Sequence, residues 1–114
     1  MAIRQTDLLQ GTLDLLVLQI LGRGPNHGYG ITARIHALSN DVLRIEEGSL
    51  YPALYRLERK GLIQSEWRVT DLNRKAKFYA LTRKGRREAQ AERAGWERLS
   101  GAVARVLRAL EQGA

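Results

Sequence analysis

Apolar and polar residues follow two different periods along this chain, and the changes of period mark the elements. From 8 to 21 the sequence is dense in aliphatic residues: Leu8, Leu9, Leu13, Leu15, Leu16, Val17, Leu18, Ile20 and Leu21. A helix this apolar on most of its surface needs cover on more than one side, from the domain core and from a second element or subunit. Gly22 and Gly24-Pro25 stop it. Asn26-His27-Gly28-Tyr29-Gly30 reads as a turn into a second helix over about 29–39, with Tyr29 or Ile31, then Ile35 and Leu38, as its inner face. Ser39-Asn40-Asp41 is a loop signal, and Val42-Leu43-Arg44-Ile45 is a short apolar connector with the makings of a minor strand.

The third helix, over 46–60, is the clearest. Leu50, Leu54 and Leu57 recur at i, i+4 and i+7 and define one buried face. The other face carries Tyr51, Tyr55, Arg56, Arg59 and Lys60. Pro52 is tolerated only near a helix start, so this helix should begin close to Glu47. Its acids lie at the end where the helix dipole favours them. Gly61 is a good stop, because glycine enters the left-handed conformation without steric cost.

The period then changes to two. Ile63, Ser65, Trp67 and Val69 alternate with Gln64, Glu66, Arg68 and Thr70, a turn follows over 70–74, and 77–81 returns as a strand. The tip carries Arg74, Lys75 and Lys77, while Trp67 is expected to pack in the core or at the hairpin's hinge. Thr82 is suited to cap a last helix from 83 to 110 or 111, roughly 40 Å long at ~1.5 Å per residue. On it Trp96, Leu99, Val103, Val106 and Leu110 are spaced 3, 4, 3 and 4, a heptad seam. A seam on a helix longer than its domain needs a second helix, most simply from a second copy.

The expected fold is therefore mainly α with a small β-hairpin: a winged helix-turn-helix over 1–82 with a long C-terminal dimerisation helix over 83–114. Composition narrows its partners. The 114 residues suffice for one small domain, and 19 Lys+Arg against 12 Asp+Glu give a net charge of +7. Fifteen of the cations are Arg, which contacts phosphate and guanine in bidentate fashion. The absence of Cys excludes disulfides and thiolate metal sites. No signal peptide and no apolar run of about 20 residues is present, so a cytoplasmic protein without a membrane partner is expected.

Several blocks resemble the PadR family of transcriptional regulators. They are Gly11-Thr12-Leu13, His27-Gly28-Tyr29-Gly30-Ile31, Gly48-Ser49-Leu50-Tyr51-Pro52-Ala53-Leu54, Arg56-Leu57-Glu58, Gly61-Leu62-Ile63, and Phe78-Tyr79-Ala80-Leu81-Thr82 with Gly85. With one C-terminal helix the chain is similar to the short-tailed class. The resemblance implies a homodimeric repressor on a roughly palindromic operator. Some family members bind flat aromatic molecules at the dimer interface, which makes a small aromatic effector a candidate partner.

Within that frame the reading helix would enter a major groove with its N-terminal residues closest to the duplex. Ser49 and Tyr51 can donate hydroxyl hydrogen bonds to phosphate, Pro52 offers an apolar contact to a thymine methyl, and Arg56 can bridge a phosphate or a guanine. Tyr29 is a candidate phosphate clamp, and Arg74, Lys75 and Lys77 fit backbone contacts along the wing. Arg4 and Gln5 are weaker candidates from an N-terminal arm. The seam from Trp96 to Leu110, with Leu8 and Leu15 from the first helix, forms the expected dimer interface. Trp96 either packs there or stacks on an effector. His27 and His36 do not make a metal site, His27 being better placed to bond the backbone of its turn, and no catalytic constellation or cofactor motif is present. The competing reading is a winged-helix protein–protein interaction module whose exposed face docks an acidic protein without binding DNA.

Overall fold

A computed structural model describes residues 3, 4 and 11–114, the first two through their backbone. The elements are β1 (Ile3–Arg4), α1 (Thr12–Leu21), β2 (Asn26–His27), α2 (Gly28–Leu38), β3 (Leu43–Arg44), α3 (Glu47–Arg59), β4 (Ile63–Val69), β5 (Lys75–Leu81) and α4 (Arg83–Glu111). Helices α1, α2 and α3 pack on one another, and β2, β5 and β4 form an antiparallel sheet in that order. Strands β1 and β3 make a separate parallel pair. The fold is the winged helix-turn-helix expected, with a long helix after the hairpin.

Apolar periodicity built the core. Val17, Leu18 and Leu21 of α1, Ile31 and Ile35 of α2, and Leu50, Leu54 and Leu57 of α3 meet Ile45, Leu62, Ile63, Tyr79 and Leu81. Each such aliphatic side chain contributes about 1.5–3 kcal/mol through burial. No buried side-chain nitrogen or oxygen among the described residues lacks a hydrogen-bond partner.

Helix α3 ends as its sequence requires. Gly61 has φ 75°, its N–H donates to the Glu58 carbonyl, and the Leu62 N–H donates to the Leu57 carbonyl, each at 3.0 Å. These two bonds form a Schellman motif. The same corner starts α4. The Thr82 hydroxyl accepts from the Gly85 N–H at 3.0 Å and donates to the Gly61 carbonyl at 2.6 Å. Lys84 Nζ donates to the Lys60 carbonyl at 2.9 Å. A side chain at Gly85 would collide with the Leu62 carbonyl, so only glycine lets α4 lie this close. The end of α3 and the start of α4 are thus one joint.

Helix α4 has 29 residues, and the molecule extends 58 × 32 × 21 Å. Only Gly85 and Ala89 of α4 are buried, and Ala89 belongs to the same core as the three-helix unit. The first turns of α4 therefore complete the core of the unit expected over 1–82.

Several local expectations are corrected. Helix α1 starts at Thr12, with Gly11 at φ 97° as its N-cap; the expected start at Leu8 lies outside the described residues. Residues 26 and 27 are more than a turn, since they add a third strand to the hairpin through Asn26↔Tyr79 and His27↔Phe78. Ile31 takes the inner face of α2 and Tyr29 faces outward, while Leu38, the last residue of α2, is exposed. Lys75 and Lys77 belong to the return strand, leaving Arg74 at the tip. Trp67 is not packed: it is 68% exposed, because burial along β4 does not extend past Ser65.

Candidate nucleic-acid interface

The outward face of α3 follows from its anchored one. With Leu50, Ala53, Leu54 and Leu57 buried, Tyr51, Pro52, Tyr55 and Arg59 are left exposed. Pro52 falls in the second turn and has no N–H to offer the Gly48 carbonyl; nothing crowds Gly48 on that side. Arg59 Nη1 donates to the Tyr55 hydroxyl at 3.1 Å, and its guanidinium stands 5.7 Å from that ring's centroid. Tyr55 and Arg59 thus form a joined aromatic–cationic unit at the centre of the face. Arg59 did not stand among the candidate contacts, although the 3.6-residue period places it and Tyr55 in line with Pro52.

Tyr51 leans from α3 across the start of α2. A Cβ added to Gly28 would lie 2.9 Å from the Tyr51 hydroxyl oxygen, so the small residue makes room for that ring. Tyr29, 60% exposed, stacks on His27 with centroids 6.4 Å apart and 6° between planes. His27 caps α2, its Nδ1 accepting from the Gly30 N–H at 3.1 Å, and meets Phe78 edge-on at 5.0 Å. The expectation that His27 bonds the backbone of its turn holds. Tyr29 and Tyr51 therefore flank the start of α2, while Ser49 lies half-buried in the first turn of α3.

Arg56 has a partner already. Its Nη2 donates to Asp14 Oδ1 of α1 at 3.0 Å, with the arginine side chain 44% exposed and the carboxylate 13% exposed. The pair locks α3 to α1 and places Arg56 on the flank of the face. Nearby, Glu92 of α4 has its carboxyl pushed up by partial burial and then by the charges of Glu88 and Asp14, with Lys60 opposing.

The wing is a regular hairpin in which Trp67 faces Lys77 and Val69 faces Lys75. A turn with Asn73 at φ 59° closes it, the Asn73 N–H donating to the Thr70 carbonyl at 2.9 Å. Arg74 and Lys75 are exposed and Lys77 is partly so. Tyr79, on the same face as Lys77, is buried, and its hydroxyl pKa is raised by burial, then by Tyr51 and Glu58.

The far half of α4 is bare. Trp96, Leu99, Val103, Val106 and Leu110 are between 44% and 61% exposed, and Leu107, absent from the expected seam, is 58% exposed. Where α4 leaves the domain, Gly11, Thr12, Leu15, Glu92, Gly95, Trp96 and Leu99 line a cleft of about 240 Å³. Leu15 and Trp96 thus share one cleft, with Leu15 buried on its floor. Among the described residues no group of His, Asp or Glu is arranged to hold a metal, and no helix is long and apolar enough to cross a membrane.

A three-helix unit with an exposed third helix, a basic hairpin and a long trailing helix defines a winged-helix regulator. The model of the transcriptional regulator PadR-like family matches residues 17–91, and the chain belongs to that family. It is similar to a transcriptional regulator of Mycobacterium tuberculosis, 39% identical over 77 residues that cover 68% of each chain. A PadR-like transcriptional regulator from Bacillus cereus superposes with a TM-score of 0.75 at 27% identity, covering 87% of this chain and 94% of that one. Bacillus subtilis PadR, solved in complex with operator DNA, gives a TM-score of 0.64 at 24% identity over 73% of this chain and 47% of that chain, a likeness of fold. The family is not enzymatic in general.

Proposed function

We propose that the chain is a homodimeric, sequence-specific DNA-binding repressor. The observation that carries this reading is the outward face of α3, where Tyr51, Pro52, Tyr55 and Arg59 stand exposed on a helix fixed from behind by buried leucines. Such a helix fits a major groove, where aromatic, apolar and guanidinium groups find base edges and phosphates. Tyr29, Ser49 and Tyr51 supply phosphate contacts, Pro52 and Arg59 approach bases, and Arg74, Lys75 and Lys77 follow the flanking backbone. Arg56 acts from the flank, holding α3 against α1 through Asp14 while presenting its remaining donors to phosphate.

In this reading residues 83–114 serve dimerisation. Two copies pair through Trp96, Leu99, Val103, Val106 and Leu110, with Leu15 at the cleft, so that two α3 helices meet successive turns of a near-palindromic operator. An aromatic effector in the Trp96 cleft would induce release only by binding one dimer geometry better than the other.

The test is a binding titration on duplexes selected from a randomised library by the purified protein. Selection should converge on an inverted repeat, with affinity falling steeply as salt rises. Failure to enrich any sequence would sink the reading and favour an interaction module.

A further inference from the structure

We propose that Trp67 is the wing's apolar contact to duplex DNA, its indole seated against the deoxyribose edge of the groove beside the one α3 occupies. The inference deepens the DNA-binding reading and rests on it. It begins from a face of the hairpin that changes character along its length. At the base this face carries Ile63, Tyr79 and Leu81, all buried. One step out, Ser65 donates to Glu58 Oε2 of α3 at 2.7 Å, which fixes the face beside the reading helix. Further out, the same face presents Trp67 at 68% exposure and Val69 at 61%. Alternation along a strand places these four β4 residues on one side, and their partners Leu81, Tyr79, Lys77 and Lys75 lie directly opposite on that side.

Nothing in the fold accounts for an exposed Trp there. Trp67 and Val69 together make an apolar patch that a partner can bury, and Trp is among the residues enriched where partners bind tightly. Charge identifies the partner. The cross-strand neighbours of Trp67 and Val69 are both lysines, and Lys77 Nζ stands 5.9 Å from the Tyr79 ring on the same side. The wing's one strand carboxylate, Glu66, alternates to the opposite face, where it pairs with Arg68. A flat apolar ring bracketed by cations matches a duplex edge, where apolar sugars alternate with phosphates. Continuity with α3 through Ser65 and Glu58 puts that edge next to the reading helix rather than on a separate surface.

The experiment titrates wild type, Trp67→Ala, Trp67→Phe and Lys77→Ala against the same library-selected duplex over a series of salt concentrations. Trp67→Ala should weaken binding about tenfold, with Trp67→Phe in between. Its salt dependence should stay parallel to wild type, since no phosphate contact is lost. Lys77→Ala should instead lower the slope of log affinity against log salt by about 1. In Trp96→Phe, where Trp67 is the one tryptophan, adding the duplex should change the emission, which also decides the matter if the alanine variant is poorly folded. Wild-type affinity for Trp67→Ala, or Trp96→Phe emission that the duplex leaves unchanged, would overturn the proposal and assign the face to a protein partner. If the wild type selects no duplex, the DNA-binding reading itself fails first, and this contact with it.

Discussion

The two halves of α4 are continuous in backbone and opposite in environment. In the first turns, Gly85 is pressed against the Leu62 carbonyl, Ala89 lies in the core, and Gln19 Nε2 of α1 donates to the Ala89 carbonyl at 2.7 Å. Beyond residue 95 no side chain is buried, yet the apolar heptad continues to Leu110. The first half is read by its own domain. The second half carries the seam on which the proposed dimer would pair, and the joint at Thr82 ties α4 to the end of α3. In the proposed dimer, a helix that is part of the core at one end and bare at the other would carry the position of its partner to the reading face.

The contrast can be broken most severely at the bare half. Changing Leu99 and Val106 together to Glu should leave the domain folded, since neither residue is in the core. Sedimentation should then show a monomer, and affinity for a two-site duplex should fall at least about 100-fold, the scale on which linked binding exceeds single binding. Next comes the same substitution at two glycines of one helix. Gly85→Ala should cost about 1–3 kcal/mol in denaturant unfolding, because the new methyl meets the Leu62 carbonyl. Gly101→Ala, whose Cβ would meet only the end of the Arg105 side chain at 3.7 Å, should instead gain roughly 0.5–1 kcal/mol from helix propensity.

Smaller effects separate the flank of α3 from its centre. Arg56→Ala should lower stability by about 1 kcal/mol through loss of the half-exposed Asp14 pair, and should also weaken DNA binding. Arg59→Ala should weaken DNA binding with little change in the unfolding midpoint. The smallest effect lies at Glu92, where the two halves of α4 meet. Its carboxyl is held up by burial, then by Glu88 and Asp14, so the folded state favours the protonated form. That contribution is present at low pH and is lost as pH rises through the folded-state pKa. Glu92→Gln should therefore raise the melting temperature at neutral pH, and the advantage should disappear once the solution is acidic enough to protonate the wild-type carboxyl.

What could be read in advance was periodic. Leu50, Leu54 and Leu57 are each no more than 1% exposed, as their spacing demands, and Gly61 and Thr82 end and begin helices as their chemistry requires. What could not be read was non-local. The pairing of Ile3–Arg4 with Leu43–Arg44 and of Asn26–His27 with β5 leaves no periodic trace in two-residue strands. The Arg56–Asp14 pair joins residues 42 apart in sequence, so nothing local reveals that this arginine has a partner. Trp67 was placed on the correct side of its strand by alternation, but alternation does not say where the core ends. Arg59 was legible as surface and was passed over because helix N-termini are the usual first contacts.

The central claim is that the bare half of α4 holds two chains so that two α3 helices engage one duplex. Native mass spectrometry of the protein with its library-selected duplex measures this directly. The account predicts two chains per duplex for the wild type, and loss of that complex for the Leu99→Glu, Val106→Glu protein. A one-to-one complex, or a seam variant that still binds as two chains with wild-type affinity, would contradict it.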